Sequence, residues 1–404
     1  MNRKIMPCPT VPENGNVVAN NKSELSCQIK LLTPLFGGGT IAQYVDSDFP
    51  IRPTTIRGHL RFWWRATKGA GYSDGNELRK AESAIWGSTD NPSQIVIKVK
   101  VDKKEQVTSF ELLNQKLIGQ YVLFPFKIKN NDQVATKLDN ATFTLNIEYP
   151  TNLKTDLETA LKAWVNFGGL GTRTRRGCGA LCCENYAFKT TQDIAAFVGN
   201  TSESRFPTIG KVFCGQQQDN SINAWCLSIS PLQEFRQGPD IGRNIGQQQN
   251  RPGRSRWPEP DTIRRLFGTI DNHSPIENEN KMPDAFPRAE FGLPIITKFV
   301  GNRENISIEP IVTAQDGDKV KERFASPLIL RPIKLQDGTI RPMALLLNGP
   351  RPKKVRITTS HSSANGIVNT QDGYPNNSPM HGESSALAAF LKHISKKGFS
   401  EVKQ

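Results

Sequence analysis

The segment at residues 168–180, GGLGTRTRRGCGA, limits the possible folds of this chain more than any other stretch of its sequence. It holds five glycines and three arginines and has no acidic residue. Glycine is unfavourable inside helices and strands but adopts backbone conformations that other residues avoid. We therefore predict a loop between regular elements, with main chain that can approach a ligand closely and guanidinium groups beside it.

The charge of the whole chain favours a polyanionic partner. The 404 residues include 52 Lys and Arg against 38 Asp and Glu, which gives a formal net charge of +14. Such a basic balance is typical of proteins that bind nucleic acid. Seven cysteines without paired CxxC spacing indicate neither a disulfide framework nor a zinc site. No apolar run approaches the roughly 20 residues of a membrane span. We expect a cytoplasmic protein with no metal, no cofactor and no membrane contact.

Hydrophobic periodicity predicts an α+β unit over residues 23–200, after a flexible arm at 1–22. The predicted strands are 25–32, 95–101, 120–128, 141–149 and 178–186, and the predicted helices are 54–70, 76–85 and a third that ends at Gly168. Thr155 and Glu158 fit a capping box at the start of that third helix. The order strand, helix, strands, helix, strand predicts a ferredoxin-like or RRM-like unit with insertions.

A second unit is predicted over residues 205–404. Its strands are expected at 224–230, 291–299, 306–311, 327–333 and 342–347, and its helices at 261–267 and around Leu387, Phe390, Leu391 and Ile394. Residues 358–382 are rich in Ser, Asn, Gly and Pro, which predicts a long mobile loop inserted in this unit. The similar order of elements in the two halves suggests a duplicated architecture.

The helix predicted at 54–70 combines an apolar face with a basic stripe. At about 100° per residue, the apolar face holds Ile56, Leu60, Trp63 and Trp64, and the adjoining stripe holds Arg57, Arg61, Arg65 and Lys68. Like charges at these spacings repel one another, and a polyanion along the stripe would relieve that repulsion. The alternative is that the arginines pair with acids from other segments, such as Glu77 or Glu82.

Two further segments carry the same chemistry. In the glycine-rich loop, main-chain N–H groups around Gly169, Gly171 and Gly177 could hold phosphate oxygens beside Arg173, Arg175 and Arg176. Its glycine spacing fits neither a P-loop nor a dinucleotide fingerprint. The segment RPGRSRWPEPDTIRR at 251–265 offers Arg254, Arg256 and a Trp257 that could stack on a base. The alternatives are a solvated turn for the first segment and a basic loop held by a buried tryptophan for the second.

Six motifs occur in order along most of the chain. They are TPLFGGG (33–39), IRPTTIRGHLRFWWRA (51–66), IWGS (85–88), GGLGTRTRRGCGAL (168–181), GRSRWPEPDTIR (253–264) and RFASPLILRP (323–332). Together they resemble the RAMP superfamily, and within it the subunit family numbered one in the Cmr module of type III-B CRISPR effectors. One departure is Cys178, where an aromatic residue is commoner in the family.

The resemblance implies a fold, partners and a role. It implies two RRM-like (ferredoxin-like) RAMP domains, with the glycine-rich loop after the second helix of the first domain. It implies contact with the 3′ region of the CRISPR RNA, capture of target RNA in antiviral defence, and neighbouring RAMP subunits at the head of the complex. The family binds RNA while other subunits cleave it. Carried over, the RNA-contacting candidates are Arg173, Arg175 and Arg176 of the loop and Arg57, His59, Arg61 and Arg65 of the helix.

An enzymatic alternative rests on His59. Some RAMP relatives cut RNA with a histidine near the first helix as general acid or base, which would make this chain a metal-independent endoribonuclease that processes CRISPR RNA. Spacing selects no second acid or base, and no acidic cluster suggests a two-metal nuclease. A third interpretation is a pure assembly module whose basic patches meet acidic neighbours. The non-catalytic RNA-binding subunit is the leading hypothesis.

Overall fold

The computed structural model describes residues 21–110, 121–126, 135–199, 204–246, 253–266, 285–297, 306–314, 317–321, 323–359, 366–370 and 379–403. These residues form an α+β fold in which all paired strands run antiparallel. The helices are α1 Pro53–Lys68, α2 Gly75–Trp86, α3 Lys154–Phe167, α4 Thr191–Val198, α5 Ser221–Gln237, α6 Glu259–Leu266 and α7 Ala386–Lys396.

Strands of the first half are β1 Lys22–Leu31, β2 Leu35–Phe36, β3 Val96–Lys104, β4 Thr108–Ser109, β5 Thr136–Leu138, β6 Ala141–Pro150 and β7 Leu181–Cys182. Those of the second half are β8 Ile209–Cys214, β9 Ile295–Thr297, β10 Ile306–Ala314, β11 Gly317–Val320, β12 Leu328–Lys334, β13 Ile340–Leu347, β14 Lys354–Thr359, β15 Gly366–Asn369 and β16 Ser400–Glu401.

The first four-stranded sheet has the order β3-β6-β1-β7. Along β1, Cys27 and Ile29 are buried while Ser26 and Gln28 are exposed, so one face of this sheet meets the core and the other meets solvent. Helices α1 and α3 share the hydrophobic cluster on the buried face. The period-2 pattern of β1 therefore determines which side of the sheet the helices cover.

The second four-stranded sheet has the order β12-β13-β8-β16. Its residues divide between two clusters, so that Ile329 and Leu345 join the core with α3, whereas Leu330 and Ala344 join the core with α5 and α7. The two sheets and their helices thus form a stack in the order sheet, helices, sheet, helices. A smaller sheet contains β2-β5-β4, and another contains β11-β10-β14-β15 with β9 paired to β10.

The structure confirms most predicted elements and corrects several. Residues 224–230 were expected to be a strand but lie in helix α5, because Trp225, Ile229 and Leu232 are buried at helical spacing and Asn220 caps the helix. The capping box is also wrong. Helix α3 starts at Lys154, after a 3₁₀ turn at Thr151–Leu153, and its N-cap Leu153 has no side-chain oxygen that could accept a hydrogen bond.

Other corrections concern extended segments that are shorter than expected. Within 120–128, none of the described residues 121–126 is strand and Phe124–Phe126 form a 3₁₀ turn. Within 178–186 only Leu181–Cys182 is strand. Within 291–299 the strand is Ile295–Thr297. The predicted mobile loop at 358–382 contains the last two residues of β14, which pair with β10, and all of β15, which pairs with residues 354–357 of β14. Residues 1–20 of the predicted arm lie outside the described residues, and Lys22 already belongs to β1.

None of the helices in the described ranges has the length and apolar character that crossing a membrane requires.

Candidate nucleic-acid interface

The glycine-rich loop is bonded to the segment that connects β1 and β2. The N–H of Gly179 donates to Pro34 O (2.8 Å), that of Thr172 to Phe36 O (2.8 Å), and that of Leu170 to Gly179 O within the loop (2.9 Å). The Thr33 hydroxyl donates to Gly177 O at 2.6 Å. These N–H groups are already occupied by carbonyl oxygens of the protein. Of the three glycines named from the sequence, Gly177 also has its N–H occupied, by Thr174 O at 3.1 Å. Phosphate contact by main-chain N–H groups at Gly169 and Gly171 stays a prediction.

The glycines of this loop allow close internal packing. Gly171 has φ +79° and a Cβ there would lie 2.5 Å from Phe36 O, while Gly177 has φ +80° and a Cβ would lie 2.5 Å from the Trp225 indole. At Gly169 a Cβ would lie 2.8 Å from Gly179 O. Because neighbouring protein atoms fill the space beside each Cα, these three glycines serve contacts within the chain.

The loop arginines cover the edge of the second sheet. Strand β12 is an edge strand, and an uncovered edge exposes unpaired carbonyl oxygens. Arg176 Nη1 donates to Leu328 O (2.7 Å) and its Nη2 to Ser326 Oγ (3.1 Å), while Arg175 Nη1 donates to Ser326 O. Burial, together with the nearby Arg236 and Arg173 guanidinium groups, lowers the pKa of Arg176 to about 10. Arg173 is half-buried and has φ 56°.

Sequence reasoning missed Arg331, which joins both ends of the same loop. Its side chain is fully buried. Nη1 donates to Gly168 O at the start of the loop, and Nη2 donates to Leu181 O after its end (2.6 Å). Burial lowers the pKa of its guanidinium to about 9. The available signal was a lone arginine inside the apolar run LILRPI of β12, where a charge is rare unless it is satisfied.

The basic stripe of α1 is largely paired with carboxylates. Arg61 Nε donates to Glu82 Oε1 at 2.7 Å, and Arg65 Nη1 donates to the same oxygen. Lys68 Nζ lies 2.7 Å from Asp156 Oδ1, and Arg57 Nη2 donates to Ile95 O at 3.4 Å. For Arg61 and Arg65 the structure shows the alternative raised from the sequence, pairing with Glu82.

The stripe nevertheless lines a groove with a positive excess. The groove has a volume of about 960 Å³ and lies between α1, α2 and the turn at residues 87–93. Its lining includes the side chains of Arg57, Arg61, Arg65 and Arg79 and a single carboxylate, that of Glu82. Four guanidinium groups against one carboxylate favour an anion in the groove. Ser88, Thr89, Asn91 and Ser93 add hydrogen-bonding groups along the opposite wall.

His59 lies in a different cleft on another face of α1. This cleft of about 190 Å³ is bounded by His59, Phe62, Trp63, Gly168, Gly169, Thr174, Arg175 and Ile329, among others. The His59 ring stacks on Trp164 with centroids 6.1 Å apart, and burial lowers its pKa to about 4. Arg175 lies over the Phe62 ring at 5.6 Å. Helix α1 therefore carries two clefts, and the glycine-rich loop borders the one without the stripe.

The third basic segment folds against the C-terminal end of α5. Arg254 pairs with Asp261 (2.7 Å), and Arg256 pairs with Asp240 (2.5 Å) and donates to Asn244 (2.8 Å). Trp257 is fully buried, with its Nε1 donating to Arg236 O at 3.1 Å. The prediction that Trp257 stacks on a base is wrong, because its ring is packed in the core against Phe235.

The described residues contain no group of three or more His, Cys, Asp or Glu side chains that could hold a metal ion. The His59 cleft contains His59 and Arg175 as its titratable lining residues. A neutral imidazole and a guanidinium form a binding environment more readily than an acid–base pair.

The first sheet and the arginine groove lie in a stretch that resembles a known protein family. Residues 28–182 match the family model of the RAMP superfamily, in agreement with the resemblance seen in the sequence. The match covers the first sheet, helices α1 to α3 and the glycine-rich loop.

Two curated proteins of Pyrococcus furiosus are similar to this chain. CRISPR system Cmr subunit Cmr1-1 is 24% identical over 159 residues, which is 38% of this chain and 47% of that protein. CRISPR system Cmr subunit Cmr1-2 is 29% identical over 174 residues, which is 38% of this chain and 91% of that protein. The alignment thus spans about half the length of the first relative.

A solved structure resembles nearly the whole chain. The crystal structure of Cmr1 from Pyrococcus furiosus in its apo form superposes with a TM-score of 0.54 at 14% identity, covering 94% of this chain and 98% of that one. This likeness shows the fold, a mixed α/β arrangement with antiparallel sheets.

Proposed function

We propose that this chain is a non-catalytic RNA-binding subunit of a type III-B Cmr effector complex. The similarity to two Cmr subunits and the RAMP match over residues 28–182 support membership of such a complex. The observation that carries RNA binding is the α1–α2 groove, where four arginines face one carboxylate. Four guanidinium groups and the polar turn at residues 87–93 around one groove suit several phosphates better than a single compact anion.

The four arginines of the groove have two different roles in the proposed binding of RNA. Arg61 and Arg65 are oriented by their shared bond to Glu82, so their remaining N–H groups are preorganised for phosphate oxygens. Arg57 and Arg79 add charge at the groove wall. Guanidinium groups bind phosphate with two parallel hydrogen bonds, which makes arginine more suitable here than lysine.

The glycine-rich loop takes a supporting role in this proposal. Its arginines Arg175 and Arg176 bind the edge of β12, and Arg175, which is half-buried, also lines the His59 cleft. RNA contact by Arg173, Arg175 and Arg176 remains a proposal, and so does contact by Arg254 and Arg256.

The wider biological setting belongs to the same proposal. The partners would be the 3′ region of the CRISPR RNA, target RNA and neighbouring RAMP subunits, in antiviral defence in the cytoplasm. The unpaired thiols of the six described cysteines suit that compartment. The order of strands in the two four-stranded sheets supports two ferredoxin-like domains at 23–200 and 205–404.

A salt titration tests the groove. Single-strand binding weakens with salt with a slope of about 0.7 per neutralised phosphate. We expect the double variant Arg57→Gln and Arg79→Gln to lower affinity and to flatten the slope by about 1.4. The matched control is Arg341→Gln, which removes a guanidinium that donates to Gly215 O and is not among the proposed RNA contacts. If the double variant and wild type show the same slope, RNA does not lie in the groove.

The enzymatic alternative predicts cleavage that needs no metal. Labelled repeat RNA incubated with purified protein in EDTA should stay intact if the chain only binds. Cleavage products that disappear in His59→Ala would establish the endoribonuclease instead. The low pKa of His59, about 4, keeps its ring neutral near pH 7 and removes the general acid that leaving-group protonation requires.

A further inference from the structure

Gly58 is a residue that the fold itself does not explain. Among the seven described α-helices, it is the glycine inside a helix, whereas Gly75 is only the first residue of α2. Glycine is one of the least favourable residues in a helix interior. Such a glycine usually makes room for a neighbouring element. Here a Cβ added at Gly58 would meet no atom within 4 Å.

Gly58 lies on α1 between the arginine groove and the His59 cleft. With 3.6 residues per turn, it points between Arg61 on one side and Phe62 on the other. Gly58 is exposed and lines the arginine groove, while the adjacent His59 lines the second cleft. The helix surface at Gly58 is thus the low ridge that separates a basic groove from an aromatic cleft.

The missing side chain at Gly58 lets another main chain approach this part of the helix closely. Arg57 and Arg61 flank the ridge on the groove side, and Phe62 and Arg175 border the cleft on the other. The first turn of α1 has no acidic residue and no side-chain cap, so its positive end is not neutralised locally. These features favour an extended anionic polymer across the helix.

We infer that a single RNA strand crosses α1 directly over Gly58, running from the arginine groove towards the His59 cleft. This inference rests on the proposed RNA binding and adds the route of the strand. The sugar–phosphate backbone lies against the bare helix surface, and any side chain at position 58 would hold it away from Arg57 and Arg61. The absence of a side chain at Gly58 therefore leaves room for the RNA backbone.

Two readouts of opposite sign test this route. Gly58→Ala should raise Tm by about 1–2 °C, because alanine favours the helix. The same variant should weaken binding of a labelled 20-nucleotide single-stranded RNA about threefold, and Gly58→Leu should weaken it about tenfold, the effect of overpacking a close contact. If Gly58 had only a structural role, its substitution would not raise Tm while weakening RNA binding.

Gly71 provides the matched control. It is exposed, directly follows α1 in a 3₁₀ turn, and a Cβ there also meets no atom within 4 Å. We expect Gly71→Ala and Gly71→Leu to bind RNA within twofold of wild type. Unchanged affinity in Gly58→Leu would overturn the route while leaving RNA binding intact, and a lower Tm in Gly58→Ala would also overturn it. A wild-type protein that binds no RNA at low salt would instead reject the proposed function itself.

Discussion

The two four-stranded sheets share one strand order, yet they differ in the connection that leads from a helix into the last strand of each sheet. In the first unit, 13 residues connect α3 to β7, and in the second, three residues connect α7 to β16. The long connection is the glycine-rich loop, whose arginines bind the edge of β12. The short connection makes no equivalent contact with β3, the edge of the first sheet. Two units with the same strand order therefore contribute unequally to their contact, because only the first unit supplies a loop that joins them.

The two edges are protected differently as a result. Strand β12 is covered by guanidinium groups from the loop, whereas β3 exposes Lys98, Lys100, Lys103 and Lys104. Lysines on an open edge discourage pairing with another strand. Helix α1 carries the arginine groove, while its counterpart α5 contains Arg236 as its basic residue. Both the joining loop and the candidate RNA surface thus belong to the first unit.

The largest loss of stability is expected from a substitution at Arg331, where the loop of the first unit meets the sheet of the second. Arg331→Met leaves Gly168 O and Leu181 O without their buried donor. We expect the free energy of unfolding to fall by about 2–3 kcal/mol, since each buried carbonyl loses a hydrogen bond from a charged group. Chemical denaturation measures this change.

Arg341→Met is the control for that prediction. Arg341 lies in the same sheet but donates to Gly215 O at 3.0 Å and is half-buried, so a loss of about 1 kcal/mol is expected. Equal losses in the free energy of unfolding would show that the two hydrogen bonds from Arg331 to the loop ends stabilise the protein no more than the one from Arg341.

A smaller effect is expected at the groove of the first unit. Glu82→Gln removes the carboxylate that Arg61 and Arg65 share. The free energy of unfolding should fall by about 1–2 kcal/mol, while the greater positive charge should raise RNA affinity and steepen its salt dependence. Thermal unfolding and RNA titrations measure the two quantities. A parallel loss of stability and affinity would show instead that the orientation of Arg61 and Arg65 by Glu82 contributes more to RNA binding than its negative charge costs.

The smallest effect is expected from the histidines of the two units. Burial holds the pKa of His59 at about 4 in the folded protein, below the ordinary value near 6.5. Between those values the unfolded chain binds the extra proton, so stability is full above pH 6.5 and is lost as pH falls towards 4. Because His59 is partly exposed, we expect a loss of about 1 kcal/mol across this window.

Substitution separates the two histidines. Unfolding measured from pH 7 to pH 4 should show a flatter profile for His59→Gln than for wild type. His393 in α7 also has a lowered pKa because of burial, but Glu234 opposes the shift. His393→Gln should therefore flatten the profile less. An unchanged profile in His59→Gln would contradict a buried neutral ring.

Sequence patterns predicted elements well where burial follows a regular period. The alternation in β1 and the amphipathic faces of α1 and α7 were sufficient. Residues 224–230 were misassigned because a seven-residue apolar run fits a strand and a helix equally. The helix becomes evident only when Trp225 and Phe235 are seen in one core.

The candidate site was predicted only in part because partners distant in sequence decide what an arginine does. Arg61 and Arg65 depend on Glu82, which spacing could only suggest, and Arg176 depends on Leu328, 152 residues away. Trp257 was misjudged because neither composition nor period shows that its ring packs against Phe235 of α5. Gly58 was part of a quoted motif, and only the empty space around it distinguishes it.

The shared core between the halves has a practical consequence for protein production. Ile329 and Leu345 belong to the same cluster as Trp63 and Trp164, so separating the halves would expose a broad apolar face on each. A gene divided near residue 204 should give fragments that aggregate when made singly and recover solubility when made in the same cell.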